Sequence, residues 1–239
     1  MLCLIGKLII HMLGYRESRL GSLSPACNDM MGDLNMAKSD IMLKESIRKL
    51  ESGEPLEIIA LGDSLTHGWM VRKGYIDFIN EMLKIKYPCG DFQIINRGIP
   101  GDTAEGGFHR LESDVIDYKP GLIFIQFGLN DAFSGVSPEG FKNTIRRIVE
   151  RIRSATEAEI LLVTSVPVMD ESGDLMIERF YNVIIDVSRE QSVPVAQVHR
   201  YWKEKIAGGV NHGGLVQFDG VHPTVEGYRL MAEAIMEML

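Results

Sequence analysis

Leu56-Glu57-Ile58-Ile59-Ala60-Leu61-Gly62-Asp63-Ser64-Leu65-Thr66 is an apolar run that stops abruptly at glycine, aspartate and serine. Its first six residues read as a buried strand, and the serine stands at the strand's tip. Comparable runs recur over residues 92–95, 122–127, 160–164 and 193–198. Helical spacing fills the intervals between them. Residues 75–87 carry Ile76, Ile79, Met82, Leu83 and Ile85 ahead of Pro88. Residues 103–118 read as one helix stopped by Pro120. Ser137-Pro138-Glu139 opens a helix to residue 154, with Phe141, Ile145, Ile148 and Ile152 on one face. Residues 175–190 read as a further helix. The last one spans residues 223–238, with Pro223 in its first turn, where a missing N–H costs nothing.

Strands alternating with long helices make βαβ units, so the expected fold is α/β. It is a single-domain three-layer α/β/α sandwich around a five-stranded parallel sheet, with right-handed crossovers. Residues 122–127, an apolar run broken only by Gln126, are expected at its centre. Upstream, Ile41, Leu43, Ile47 and Leu50 recur at helical spacing. The chain thus divides into an extension over residues 1–36, a helix over 37–53 and the main domain over 54–239.

The chain has 239 residues, 45% of them hydrophobic, which is enough for one sizeable core. A net charge of -8 and the lack of a basic stripe argue against a nucleic-acid partner. Cys3, Cys27 and Cys89 are too few and too widely spaced for a zinc knuckle or a disulfide framework. No apolar run approaches the ~20 residues that span a bilayer. The apolar start is interrupted by Lys7 and His11 and lacks a preceding basic region, and Ser24-Pro25-Ala26-Cys27 is a poor lipoprotein cleavage site. A loose extension, or a start at Met30, Met31 or Met36, is the expectation, with a cytoplasmic rather than a secreted product.

In parallel sheets the site lies where the strands end. The exits here carry Gly62-Asp63-Ser64-Leu65-Thr66, Asn96-Arg97-Gly98-Ile99-Pro100-Gly101-Asp102-Thr103, Gly128-Leu129-Asn130-Asp131 and Ser165-Val166-Pro167. The loop after the fifth leads to Phe218-Asp219-Gly220-Val221-His222-Pro223. A serine at one end, and a histidine three residues from a carboxylate at the other, supply a nucleophile, a general base and an orienting acid. Other uses exist for each. Ser64 would also serve as a helix N-cap, Asn130 and Gly101 as turn residues, and Asp219 as a cap for the last helix. The remaining histidines, His11, His67, His109, His199 and His212, read as structural or surface residues. Asp63, Asp102 and Asp131 read as carboxylates that hold loop N–H groups, and Asn96 as a bridge between loops.

These blocks, in this order over residues 56–239, resemble the SGNH (GDSL) hydrolase family. The resemblance implies a flavodoxin-like sheet and a serine ester hydrolase that needs no metal and no organic cofactor. It implies that Ser64 is the nucleophile and that Asp219 and His222 complete a triad. It implies an oxyanion hole from Ser64, Gly101 and Asn130. Leu129 replaces the small residue of many members and is expected to narrow the pocket. Trp69, Phe133, Met169, Trp202 and Phe218 are expected to line that pocket. A small-molecule ester is the expected substrate, with a carbohydrate O-acetyl group, a lysophospholipid or a thioester as alternatives on the same site. An α/β-hydrolase is disfavoured because the serine block lacks the closing glycine of GxSxG. A metal phosphoesterase using Asp63, Asp219 and His222 would want more carboxylates, and an intact set of blocks argues against a silent binding module.

Overall fold

The computed structural model describes residues 42–239. Expectations for the extension and for the start of the first helix lie outside the described residues. Five parallel strands form one sheet: β1 (Leu56–Gly62), β2 (Phe92–Gly98), β3 (Leu122–Gln126), β4 (Glu159–Val163) and β5 (Val195–Ala196). Their order is β2-β1-β3-β4-β5. Ile59 lies between Ile95 and Ile123 across the sheet. β3 is central and buried throughout: four apolar residues, as a strand covered on both faces requires, and then the buried Gln126. β5 keeps only two of the six residues expected to be extended. Pro194 has no N–H to give and contributes only its carbonyl, to Leu162.

Helices cover both faces. On one side α3 (Tyr75–Lys86) packs with α11 (Val225–Met236), which also meets α9 (Val198–Ala207) and α10 (His212–Leu215). On the other, α7 (Pro138–Ala155) packs with α8 (Glu171–Gln191) and α4 (Ala104–His109), while α6 (Leu129–Phe133) lies against α8. Before β1 comes α1 (Lys44–Ser52), closed by Gly53 in the left-handed region. After it comes one short turn, α2 (Ser64–His67).

Three helices differ from their expected spans. The helix over residues 103–118 breaks into α4, α5 (Leu111–Asp114) and a 3₁₀ turn, Ile116–Tyr118. The first break falls at Arg110, whose guanidinium donates to the Gly62 and Arg97 carbonyls at the ends of β1 and β2. α8 begins four residues early because Asp170 caps it, accepting from the Gly173 N–H at 2.6 Å. α11 begins after Pro223, with Thr224 as its cap. Pro223 therefore lies outside the helix it was expected to open.

The chain leaves β1 for β2 on one side and later returns to β3 on the other. The loops after β1 and β3 diverge there and open a crevice at the carboxyl edge.

Candidate active site

α2 begins at that crevice. Asp63 is its N-cap, and its Oδ1 accepts the Leu65 N–H at 2.9 Å. The cap duty thus belongs to Asp63, and Ser64, the first helical residue, has its hydroxyl free for another partner. Ser64 is only 4% exposed, and its Oγ lies 2.9 Å from His222 Nε2. His222 stands on a small closed loop ahead of α11. An antiparallel bridge between Val216 and Pro223 pinches the loop's neck, and the Gln217 N–H donates to the His222 carbonyl at 2.7 Å. Inside it, Asp219 Oδ1 accepts the N–H groups of Val221 and His222, each at 2.9 Å. Asp219 Oδ2 lies 2.7 Å from His222 Nδ1. Burial pushes the Asp219 carboxyl up, but the bonds from Val221 and His222 outweigh it and hold the group below the ordinary carboxylate range. A carboxylate at Nδ1 favours the tautomer with its proton there, leaving the Nε2 lone pair to face the serine hydroxyl. The Trp69 ring lies beside the imidazole, centroids 5.9 Å apart.

Beside this series lie Gly101, after β2, and Asn130, in α6 after β3. Gly101 adopts φ +80°, and a Cβ added there would meet nothing within 4 Å. The backbone conformation, not crowding, is what favours glycine. Asn130 Nδ2 donates to the Asp102 carbonyl at 2.8 Å, which ties the β3 exit to the β2 exit. A primary amide carries two N–H donors, so one remains for another acceptor.

Residues 60–230 match the family described as GDSL-like Lipase/Acylhydrolase. The chain belongs to that family. It is an ester hydrolase of the SGNH/GDSL class. Among similar proteins, the esterase TesA of Pseudomonas aeruginosa is 26% identical over 184 residues, covering 76% of this chain and 87% of that protein. An acetylxylan esterase of Geobacillus stearothermophilus is 24% identical over 212 residues, covering 79% and 94%. The crystal structure of Axe2, an acetylxylan esterase of that organism, matches the fold with a TM-score of 0.70 at 22% identity, covering 80% of this chain and 95% of that one.

A buried polar floor underlies the GDSL turn. Gln126, the last residue of β3, donates from Nε2 to Asp63 Oδ2 at 3.2 Å and to Ser165 Oγ at 2.5 Å. Its Oε1 accepts from Thr66 Oγ1 at 2.8 Å, and Tyr75 closes the chain at 2.9 Å from that hydroxyl. Burial pushes the Asp63 carboxyl up to about 7, against the pull of Leu65 and Gln126. Asp131 is pushed up to about 6, again by burial, while it accepts from the Ala104 and Gly128 N–H groups. Asp102 accepts from the Thr103 N–H and from Arg110 Nε. Asn96 donates to the Thr66 carbonyl and accepts from the Gly98 N–H. These four residues hold the rim together, as their loop positions suggested. Sequence reasoning missed Arg110 and Gln217, because nothing in spacing or composition separates such residues from surface ones. It also missed Gln126, whose signal is a polar side chain set between Ile125 and Phe127 in an otherwise apolar run.

The expected pocket residues divide. Phe133, at the end of α6, and Met169 and Phe218, in loops, are 56%, 50% and 92% exposed at the carboxyl edge. Met169 packs near Gly220 and donates its N–H to the Gly220 carbonyl. Trp69 is partly buried against His222. Trp202 is a correction: it lies at 0% exposure in α9, so close under α11 that a Cβ on Gly227 would come within 2.8 Å of its ring. It is core because the chain enters a helix right after β5 and turns that ring inward. Leu129 is buried with the core as well.

His199 is buried rather than superficial. Its Nε2 lies 3.0 Å from Asp174 Oδ1, and Lys203 Nζ donates to Asp174 Oδ2 at 2.8 Å. Asp174 also accepts the Val168 N–H, which anchors the loop that bears Met169. Burial raises the Asp174 carboxyl, but His199 and Lys203 override it and hold it at about 2. Among the described residues, no group of three or more His, Cys, Asp or Glu is placed to hold a metal ion. No helix among them is long and apolar enough to cross a membrane.

Proposed function

We propose that this protein hydrolyses small carboxylic esters through an acyl-enzyme on Ser64. The observation that carries the reading is the unbroken series from Ser64 Oγ to His222 Nε2 at 2.9 Å and from His222 Nδ1 to Asp219 Oδ2 at 2.7 Å. In that geometry His222 takes the Ser64 proton as Oγ bonds to the ester carbonyl carbon. The Asp219 carboxylate stabilises the imidazolium. The negative oxygen is received by the N–H groups of Ser64 and Gly101 and by the second N–H of the Asn130 amide. When the C–O bond to the alcohol breaks, His222 returns the proton to the leaving oxygen. Water then gives its proton to His222 and attacks the acyl carbon, and Ser64 leaves with that proton. Acid that protonates His222 removes the base and stops the cycle.

The exposed Phe133, Met169 and Phe218 favour an ester with an apolar acyl or alcohol part. A carbohydrate O-acetyl ester is the second reading, favoured by the likeness to a protein named an acetylxylan esterase. The deciding experiment is a panel of p-nitrophenyl esters of rising acyl length, run beside acetylated xylan and a lysophospholipid. Ser64→Ala abolishes whichever activity is found. A rate that survives this substitution rejects the mechanism.

A further inference from the structure

The loop that carries Asp219 and His222 is loosely tied. Apart from the Ser64–His222 pair, two hydrogen bonds join residues 216–223 to chain outside their own hairpin among the described residues. One is the Met169 N–H to the Gly220 carbonyl at 2.8 Å. The other runs from Gln217 Nε2 to the Trp69 carbonyl at 3.0 Å. The same nitrogen also donates to the Pro223 carbonyl at 2.8 Å, so both hydrogens of the amide are in use. Gln217 thus braces the neck of the loop from inside and fastens it to the chain just past α2.

The anchor at Trp69 is itself fixed. Its N–H is shared between the Ser64 carbonyl and the hydroxyl of Tyr228 on α11, each at 3.1 Å. Its ring lies against His222. A contact made through Gln217 therefore bears on both partners of the 2.9 Å Ser64–His222 bond: on the serine through α2, and on the imidazole through the neck and the Trp69 ring.

We propose that Gln217 is a positioning residue for proton transfer, setting the separation and orientation of His222 relative to Ser64. This rests on the acyl-transfer reading. The residue touches neither substrate nor reacting atoms. The role asks for two N–H donors on one uncharged side chain of this length. Glutamate would set oxygen against two carbonyl oxygens, and asparagine falls one methylene short.

The test is Gln217→Met, similar in length and without donors, assayed on p-nitrophenyl acetate beside the unsubstituted enzyme and Ser64→Ala. The expected result is a kcat lower by about 10- to 100-fold with KM changed by less than about threefold, the mark of a misplaced catalytic group. Trp69→Ala keeps the carbonyl anchor but removes the ring that faces His222. The double variant Trp69→Ala/Gln217→Met is expected to lose less than the product of the two single losses, because both act on one imidazole. An unchanged kcat, a loss that follows the unfolded fraction in a thermal melt, or losses that multiply independently would each overturn the proposal. An unsubstituted enzyme whose turnover survives Ser64→Ala would overturn the acyl-transfer reading instead.

Discussion

A serine hydroxyl is a weak nucleophile until a neutral imidazole lone pair faces it. At Ser64 the chain permits this by a small local choice: Asp63 caps α2, so the next hydroxyl has no backbone duty. Asn130 shows a similar economy, giving one N–H to the Asp102 carbonyl and keeping the other. Under the proposed mechanism that second N–H meets negative oxygen only as the tetrahedral species forms. Asn130→Ala is therefore expected to lower kcat by about 10²- to 10³-fold while KM shifts far less. Steady-state kinetics on one p-nitrophenyl ester decides the matter. A loss shared equally with KM would assign Asn130 to ground-state binding. At Gly101 the residue type was legible but its reason was not. A Cβ there would meet open space, and what favours glycine is a φ that other residues reach at a cost of about 1–2 kcal/mol.

At the level of elements, the buried strands could be read from the sequence because a covered strand is apolar along most of its length, as Leu122, Ile123, Phe124 and Ile125 are ahead of the polar Gln126. Their exits followed from topology, so the positions of Ser64, Asn130 and the Asp219–His222 loop could be foreseen as one rim. What stayed illegible depended on distant partners. Arg110 breaks a periodic helical pattern because the ends of β1 and β2 offer it carbonyls, and no local signal reports them. Trp202 read as a rim residue because sequence shows that an aromatic is near a loop, not which way it faces. The junction of α2 with β2 is another long-range constraint. A methyl added at Gly98 would overlap the His67 backbone nitrogen and approach the Thr66 carbonyl carbon to 2.6 Å. Both atoms are backbone, so neither can rotate aside. Gly98→Ala is expected to push α2 off β2 and destabilise the fold by about 1–3 kcal/mol, with a lower kcat in the fraction that remains folded. Urea unfolding measures the first effect and active-site-titrated turnover the second. A variant that matches the parent in both would mean that this junction yields freely.

For the whole molecule, the buried carboxylates set a dependence of stability on pH. Asp63 has an ordinary value of 3.8 and sits at about 7 in the fold, mainly because burial disfavours its charge. Between those values the unfolded chain has released the proton and the folded chain still holds it. The folded state then binds more protons, so stability falls as pH rises, by up to about 1.4 kcal/mol per pH unit for one group. The contribution is fully present below pH 3.8 and is lost once the pH passes about 7. Asp131 acts in the same direction up to about 6. Asp174 acts in the opposite one: held at about 2 by His199 and Lys203, it stabilises above 3.8 and loses that contribution as pH falls through about 2. These three groups together place the most stable range on the mildly acidic side, whereas the proposed chemistry needs an unprotonated imidazole and favours higher pH. A floor that keeps the Ser64 turn rigid thus costs stability under the conditions in which the turn would work. Asp63→Asn removes the titrating group while leaving an oxygen to accept the Leu65 N–H. Urea melts across about pH 4.5 to 8 are expected to show stability declining more steeply in the parent than in the variant, with the difference flattening above about pH 7. Parallel curves would mean that Asp63 holds the same charge folded and unfolded across this range.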